Sequence, residues 1–400
     1  MASISSPSLS ASSRWSKTAA YYAAFIALGT SGAAIGPTLS ALAAQTGVGL
    51  SEISVIFTVT SLGYFIGSQL GGRLYDRWPG HPVMAVSLLL MAAMVASIPL
   101  TSRLWMLSAV VLVMGFAQAT IDVGGNALIV WVHRHGVGPF MNGLHFFFGV
   151  GSTFAPFLVG QLLVLTGGIR WVYWVLSLLM IPIAAFVWSQ SSPPDIALSE
   201  KEGQTRTDHR LVFLIALFLF LYVGAEFGAG SWIATYVPAL NLGDEVLGAY
   251  VNSAFWGAFT LGRLLAIPVA TIAKPCTILA GDLLGCFASL AIILIWPGAS
   301  AALWIGTIGL GLCMASIFPT MFSLAERYLT LTGNVTSWIF VGVSGGAMLL
   351  PWLIGQLFES MGAQITMIAV LISLMLAFAV YAVLLAYARS LEPEESVVSV

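Results

Sequence analysis

The sequence predicts an all-α membrane protein with twelve transmembrane helices arranged as two pseudo-symmetric six-helix bundles. Composition is the first sign: of 400 residues, 59% are hydrophobic and only 8% charged, with mean hydropathy +0.97, whereas soluble domains carry roughly a quarter charged residues. The second is the spacing of the apolar runs, and the third is an internal duplication.

Runs long enough to cross a ~30 Å hydrocarbon core fall at about 18–44, 50–72, 82–101, 104–131, 139–166 and 170–189, and again at about 211–239, 246–271, 275–296, 301–329, 333–358 and 363–388. In lipid every backbone N–H and C=O needs an internal partner, and these runs are too long for barrel strands, so the spans are helices. Between the two sets, the Pro-Pro, Ser, Gly and charged residues of 191–210 read as a solvated linker. The predicted organisation is therefore a bundle at 1–190, a linker at 191–210, a second bundle at 211–390 and a tail at 391–400.

The duplication is visible residue by residue. GVGSTFAPFLVGQ at 149–161 returns as SGGAMLLPWLIGQ at 344–356, so Pro156, Gly160 and Gln161 recur as Pro351, Gly355 and Gln356, each 195 residues later. GSQLGGRL at 67–74 returns as GAFTLGRL at 257–264, an offset of 190. A period of nearly half the chain points to two homologous halves with a site where they meet.

Charge supplies an orientation. Lys and Arg are retained on the cytoplasmic side of short loops. With the N terminus inside, twelve of the fourteen (Arg14, Lys17, Arg73, Arg77, Arg134, Lys201, Arg206, Arg210, Arg263, Lys274, Arg327 and Arg389) fall inside, leaving Arg103 and Arg170 outside. Both termini are expected in the cytoplasm of a plasma or cell inner membrane protein. No cleavable signal precedes the first span, which is expected to direct insertion. A net charge of −2 argues against a nucleic-acid partner. Cys276, Cys286 and Cys313 lack metal-ligand spacing and are read as packing residues. No nucleotide loop, zinc motif or nucleophile–base arrangement is recognised, which argues against an enzyme or an ATP-driven pump. No cofactor is expected beyond a coupling ion.

Most glycines need only a packing role. Gly63, Gly67 and Gly71 make a four-residue contact stripe. Gly36-Pro37, Pro156 and Pro351 are expected to bend helices around a cavity.

Acids that cannot easily reach water are the chemical candidates, because a carboxylate at the bilayer centre costs several kcal/mol unless paired, hydrated or protonated. Asp122 and Glu226 qualify, with Asp282 as a secondary candidate. Gln118, Asp122 and Asn126 at i, i+4, i+8 project from one helical face. Asn142 and His145 in the next span are placed to meet Asp122 across a cavity, although a membrane histidine is as readily a structural hydrogen-bonding group. Desolvation disfavours a charged carboxylate, which suits proton carriage. The same group can also ligate Na⁺ with neighbouring oxygens, so the ion stays open. In span seven, YVGAEFGAGSWIATY brings Glu226 with Tyr222, Trp232 and Tyr236, and Asn252, Trp256 and Trp338 extend that wall. Ring faces with polar edges suit sugars. Interfacial anchoring accounts for Trp171 and Trp352 but poorly for Trp256, about ten residues into span eight.

GGRLYDRWPGH after span two carries Gly72, Arg73, Leu74, Asp76, Arg77 and His81 around a Pro-Gly turn. It resembles the loop signature of the major facilitator superfamily, with the second glycine shifted by one position in Trp78-Pro79-Gly80. The resemblance implies that Asp76 latches a cytoplasmic gate by pairing with basic residues such as Arg134. In the second half Gly262 and Arg263 persist, and Glu326 is the candidate for the missing acid. TIDVGGNALI followed by MNGLHFFFGVGSTFAP further resembles the branch containing fucose permease and the sodium-dependent glucose transporters, over all twelve spans. By that resemblance Asp122 and Asn126 fall on the permease's transport-site acid and asparagine, with Asp in place of Glu. The permease's first-span acid has no counterpart, since the middle and outer half of that span offer Thr30, Ser31 and Thr38 instead of an acid.

These readings together lead to a secondary active transporter, not an enzyme, that couples H⁺ or Na⁺ to import of a monosaccharide by alternating access. The implied coupling residues are Asp122 and Glu226. The expected substrate wall is Gln118, Asn126, Asn142, His145, Trp232, Tyr236, Asn252, Trp256 and Trp338. Arg73, Asp76, Arg77, Arg134, Arg263 and Glu326 form the expected gate. Partners are the small-molecule substrate and the bilayer, and the fold by resemblance acts as a monomer. The rival readings are a proton-coupled exporter of drugs or amphipathic metabolites, and a sensor on the same fold. The polar stripe disfavours the first, and short tails disfavour the second.

Overall fold

A computed structural model describes residues 11–193, 208–329 and 333–391. Most of the expected linker, with Lys201 and Arg206, and nearly all of the expected tail lie outside these residues. The described residues form helices and no strands. In the first half they are α1 (Ala11–Ala33), α2 (Ile35–Thr46), α3 (Leu50–Ile53), α4 (Val55–Arg77), α5 (Gly80–Ser97), α6 (Leu104–His133), α7 (Gly138–Thr166) and α8 (Arg170–Ser189). In the second they are α9 (His209–Ala239), α10 (Glu245–Ile272), α11 (Pro275–Ile295), α12 (Ser300–Met314), α13 (Ile317–Tyr328), α14 (Gly333–Met361) and α15 (Ile365–Leu391).

Eleven of these stretches are long and apolar enough to cross a membrane, and the bent pair α1–α2 makes a twelfth. An even number of crossings puts the start of α1 and the end of α15 on one side, called here the terminal face. The side opposite is the far face.

Three spans are interrupted. The first bends by 46° between Ala33 and Ile35, where Pro37 removes a backbone donor and crowds the carbonyl of Ala33. The second is interrupted at Ser54, between α3 and α4. Span ten breaks at Ala315–Ser316, four and three residues before Pro319, a break the sequence reading did not anticipate. By contrast α7 and α14 run unbroken through Pro156 and Pro351.

Close helix contact sets the geometry of the first half. Gly63, Gly67 and Gly71 of α4 lie directly on α6, where an added methyl would meet the carbonyl oxygens of Leu112 and Phe116 and the backbone of Thr120. Gly115 of α6 returns the contact against Thr60 and Tyr64. Without side chains between them the two backbones touch, which brings whatever flanks the glycines into hydrogen-bonding range. In the second half α9 packs on α14 and α15, and α10 on α12. The halves meet through α7 on α10, α4 and α3 on α14, and α2 on α9.

Candidate functional site

The α4–α6 contact places Tyr64 beside Asp122. The Tyr64 hydroxyl donates to Asp122 Oδ2. One helical turn on, Asn126 Nδ2 donates to Asp122 Oδ1 at 3.0 Å and to the Asp122 carbonyl at 2.9 Å. Both carboxylate oxygens are thus held, one from each helix. Sequence reasoning missed Tyr64, which follows Gly63 on α4.

The expected polar stripe on α6 divides. Gln118 is 5% exposed and donates through Nε2 to Ser31 Oγ of α1 at 2.8 Å, while Asp122 turns toward α4. Eight residues at 3.6 per turn drift by about 80°, enough to hand the two ends of the stripe to different neighbours. Asn142 and His145 of α7 are accessible, and His145 meets Phe25 edge-on with centroids 6.1 Å apart. Among the described residues no hydrogen bond joins either of them to Asp122.

Across the interface Glu226 of α9 is 8% exposed. One turn before it, Tyr222 donates to the Met314 carbonyl at 2.6 Å, which satisfies an acceptor at the break in span ten. Beyond the break the Ser316 hydroxyl donates to the Asp282 carboxylate. The second-half wall is an aromatic and amide layer. Trp256 packs on Phe255 and Phe259, and Asn252 Nδ2 donates to the Gly230 carbonyl at 2.6 Å. Trp232 donates to the Pro351 carbonyl at 2.8 Å and stacks on Phe358. Among the described residues Trp256 Nε1, the Asn252 Oδ1 and the Tyr236 hydroxyl are buried with no hydrogen-bond partner. Buried polar atoms without partners are rare, so these three hold bonding capacity that a ligand or water can use. Trp338, by contrast, is 59% exposed near the start of α14, apart from this layer.

The far face is closed, and the repeated motif closes it twice. Gln356 donates to the Ser51 carbonyl at 2.8 Å and to Ser54 Oγ at 3.1 Å, while Gly355 lets Ser54 approach. Its repeat equivalent Gln161 donates to the Tyr250 hydroxyl at 2.9 Å, with Gly160 against the Tyr250 ring. Glu359 adds an acceptor for the Leu50 N–H at 2.7 Å, a carboxylate at a helix N-terminus. Polar contacts between the halves continue inward to Thr58–Met348 at 3.3 Å and Thr153–Thr260 at 3.4 Å. Nearer the terminal face, Asn142 and His145 are accessible and Arg263 is partly so.

Arg73, Asp76, Arg77 and Arg134 are exposed at the terminal face. No ion pair joins Asp76 to Arg134 among the described residues, so the expected latch is not formed in this conformation. His81 is not a loop residue: it is fully buried in α5, accepting from Tyr21 at 2.7 Å through Nε2 because Nδ1 donates to the Gln190 carbonyl at 3.0 Å. Lys17 Nζ donates to Ser191 Oγ at 3.0 Å beside it, tying the end of the first half to α1 and α5.

Arg263 requires a correction. Its expected partner Glu326 is exposed at the end of α13, whereas the Arg263 guanidinium lies 4.6 Å over the Phe259 ring. The reason lies in helix length. α4 ends at Arg77, four residues after Arg73, but α10 continues nine residues past Arg263 to Ile272, which places the arginine about 13 Å inside the helix end.

Two sets of membrane-spanning helices, closed over a polar centre at one face, define a membrane transporter fold. The Major Facilitator Superfamily profile matches residues 21–351, and the chain belongs to that family. It is 32% identical over 355 residues to sodium-dependent glucose transporter 1 of Xenopus laevis, covering 81% of this chain and 72% of that protein. It is 30% identical over 374 residues to sodium-dependent glucose transporter 1A of Mus musculus, covering 84% and 88%. Among solved structures it superposes on a bacterial homolog of the human lysosomal transporter Spinster, in an inward-facing and unoccupied conformation, with TM-score 0.76 at 13% identity over 96% of this chain and 98% of that one.

Proposed function

We propose that this protein is a secondary active symporter that carries a monosaccharide together with H⁺ or Na⁺ by alternating access. The observation that carries the proposal is the Asp122 carboxylate, inside the first bundle and held from both sides by Tyr64 and Asn126. A carboxylate kept inside a membrane bundle, with fixed donors, binds a proton or a desolvated cation. Two relatives about 30% identical that bear the name sodium-dependent glucose transporter support both the sugar and the ion. The unspent hydrogen-bonding atoms of Asn252, Tyr236 and Trp256 suit hydroxyl groups, and the adjoining rings suit C–H faces.

In this reading residues 1–190 rock against 211–390, with 191–210 as linker. Asp122 and Glu226 take the cation. Gln118, Asn126, Asn142 and His145 face the sugar from one side, and the aromatic layer faces it from the other. The terminal face is cytoplasmic, as the distribution of twelve Lys and Arg against two supports, so the closed far face is external and the structure has the inward-facing form. In the outward-facing form Asp76 and Arg134 close the terminal face. The protein works as a monomer in a plasma or cell inner membrane, and it needs no cofactor besides the ion.

The test is Asp122→Asn in proteoliposomes. The proposal expects gradient-driven accumulation to be lost while exchange of internal for external sugar persists. Accumulation surviving that change would remove Asp122 from the coupling role.

A further inference from the structure

Three amides of the expected substrate wall, Gln118, Asn126 and Asn252, are each tied down through the NH2 group. Gln118 Nε2 donates to Ser31 Oγ at 2.8 Å, and the Ser31 hydroxyl in turn donates to the Leu28 carbonyl at 2.8 Å. Asn126 Nδ2 donates to the Asp122 carbonyl at 2.9 Å, and Asn252 Nδ2 to the Gly230 carbonyl at 2.6 Å. A carbonyl only accepts, so neither asparagine can turn over without setting oxygen against oxygen. Gln118 is fixed by a count of bonds. With its NH2 toward Ser31 two hydrogen bonds form, whereas the flipped amide would take the Ser31 proton from Leu28 and leave one. Each amide therefore has its carbonyl oxygen left to offer. Among the described residues no donor reaches Gln118 Oε1 or Asn126 Oδ1, and Asn252 Oδ1 is buried with no partner.

Gln118 and Asn252 belong to different halves but flank one bend. An added methyl on Gly32 would lie 3.9 Å from Gln118 Nε2, and one on Gly36 would lie 3.1 Å from the Gly230 carbonyl oxygen that holds Asn252. Those two glycines stand on either side of the bend in the first span, four residues or roughly 6 Å of helix apart. Trp256, one turn from Asn252 on α10, packs on the same Gly230 and adds an unpartnered N–H.

We propose that this site is built to accept hydrogen bonds, that Ser31 is the positioning residue that sets Gln118 in that sense, and that the ligand is a neutral polyol donating through its free hydroxyls. This deepens the symporter reading and rests on it for the place of the site. Amide oxygens beside the Asp122 carboxylate offer a carboxylate or phosphate nothing to bind, and acceptors left facing acceptors in a buried site cost free energy. Sugar acids and sugar phosphates are therefore excluded. A hydroxyl counts here by its hydrogen more than by its oxygen, although the Trp256 N–H can still be answered by one hydroxyl oxygen. Selection is sharp because a site made for a donor rejects the analogue that lacks it.

The experiment measures binding, as ligand-dependent thermal stabilisation of the purified protein in detergent. The probes are D-glucose, D-galactose and D-mannose, then the deoxy and deoxyfluoro analogues of the tightest binder at each hydroxyl, and its uronic acid. Fluorine keeps a weak acceptor but brings no hydrogen. At two or more positions the deoxyfluoro form is expected to bind about ten-fold weaker than the sugar, as weakly as the deoxy form, since each loses one hydrogen bond. The uronate is expected not to bind. Ser31→Ala frees the Gln118 amide to turn its NH2 toward the ligand. It is expected to bring fluorine and hydroxyl to within about two-fold of each other at one of these positions and to leave the others as they were. Ser31→Thr, which keeps the hydroxyl, is expected to behave as the parent. Stabilisation by none of the sugars, fluorine tolerated at every position, a uronate that binds as well as the sugar, or a Ser31→Ala variant that weakens all analogues alike would overturn the proposal. Binding with the expected pattern but no gradient-driven uptake supports it and removes the symporter reading, whereas gradient-driven uptake with fluorine tolerated throughout does the reverse.

Discussion

The Tyr64 hydroxyl on α4 donates to the carboxylate of Asp122 on α6, and the glycines on either side of Tyr64 are what bring the two helices close enough for it. A hydrogen bond to a charged group is worth about 1.5–3 kcal/mol. Tyr64→Phe removes a donor that competes with an arriving cation for the charged carboxylate, and is therefore expected to lower the cation concentration for half-maximal uptake by roughly ten-fold or more, with protein yield unchanged. Titrating uptake against the driving cation checks this, and a curve superposable on the parent's would show that Tyr64 does not hold the carboxylate.

The same contact is a stability element. Gly67→Leu forces a side chain against the Phe116 carbonyl, and overpacking of this kind costs about 1–3 kcal/mol. The variant is expected to melt at a lower temperature in detergent than the parent, whereas Gly72→Leu, which meets nothing within 4 Å, is expected to melt like it.

Closure of the far face depends on Gln356 and Ser51, whose side chains are 3.1 Å apart. Cysteines at both positions, bridged by a short reducible cross-linker, are expected to arrest transport in the terminal-face-open form, with recovery on reduction. Persisting transport in the bridged protein would mean that this contact does not have to open.

His81 ties α5 to α1 through Tyr21 and to the end of the first half through Gln190. Replacing it by Ala leaves a buried hydroxyl and a carbonyl unanswered, at a cost of about 1–3 kcal/mol. A lower melting temperature is expected, and a milder loss for His81→Gln, which can still donate to the carbonyl.

The spans were legible because the bilayer imposes length and hydropathy on them: the run expected at 170–189 is α8, and that at 275–296 is α11 to within a residue. Breaks were less legible. Gly36-Pro37 signalled the first, but Pro319 looked like any membrane proline, since its effect depends on Tyr222 and Asp282 being nearby to receive the interrupted turn. In the site, Asp122 and Glu226 stood out because acids are rare in apolar runs. The partners did not, because Tyr64 reaches Asp122, and Ser31 reaches Gln118, across helix contacts that one sequence does not specify. The repeat of Gln161 and Gln356 was plain, yet that both close one face needed the pairing of α7 with α10 and of α14 with α3 and α4. Arg263 was misplaced because local likeness to Arg73 hid a difference of five residues in how far each helix continues.

The central claim is tested most directly by uptake of labelled hexoses and deoxyhexoses into proteoliposomes, with pH and Na⁺ gradients imposed separately. The account predicts saturable uptake of a monosaccharide that one of the two gradients drives above equilibrium. Absence of uptake under both gradients, together with proton-driven movement of amphipathic compounds, would contradict it and identify an exporter that uses Asp122 as its proton site.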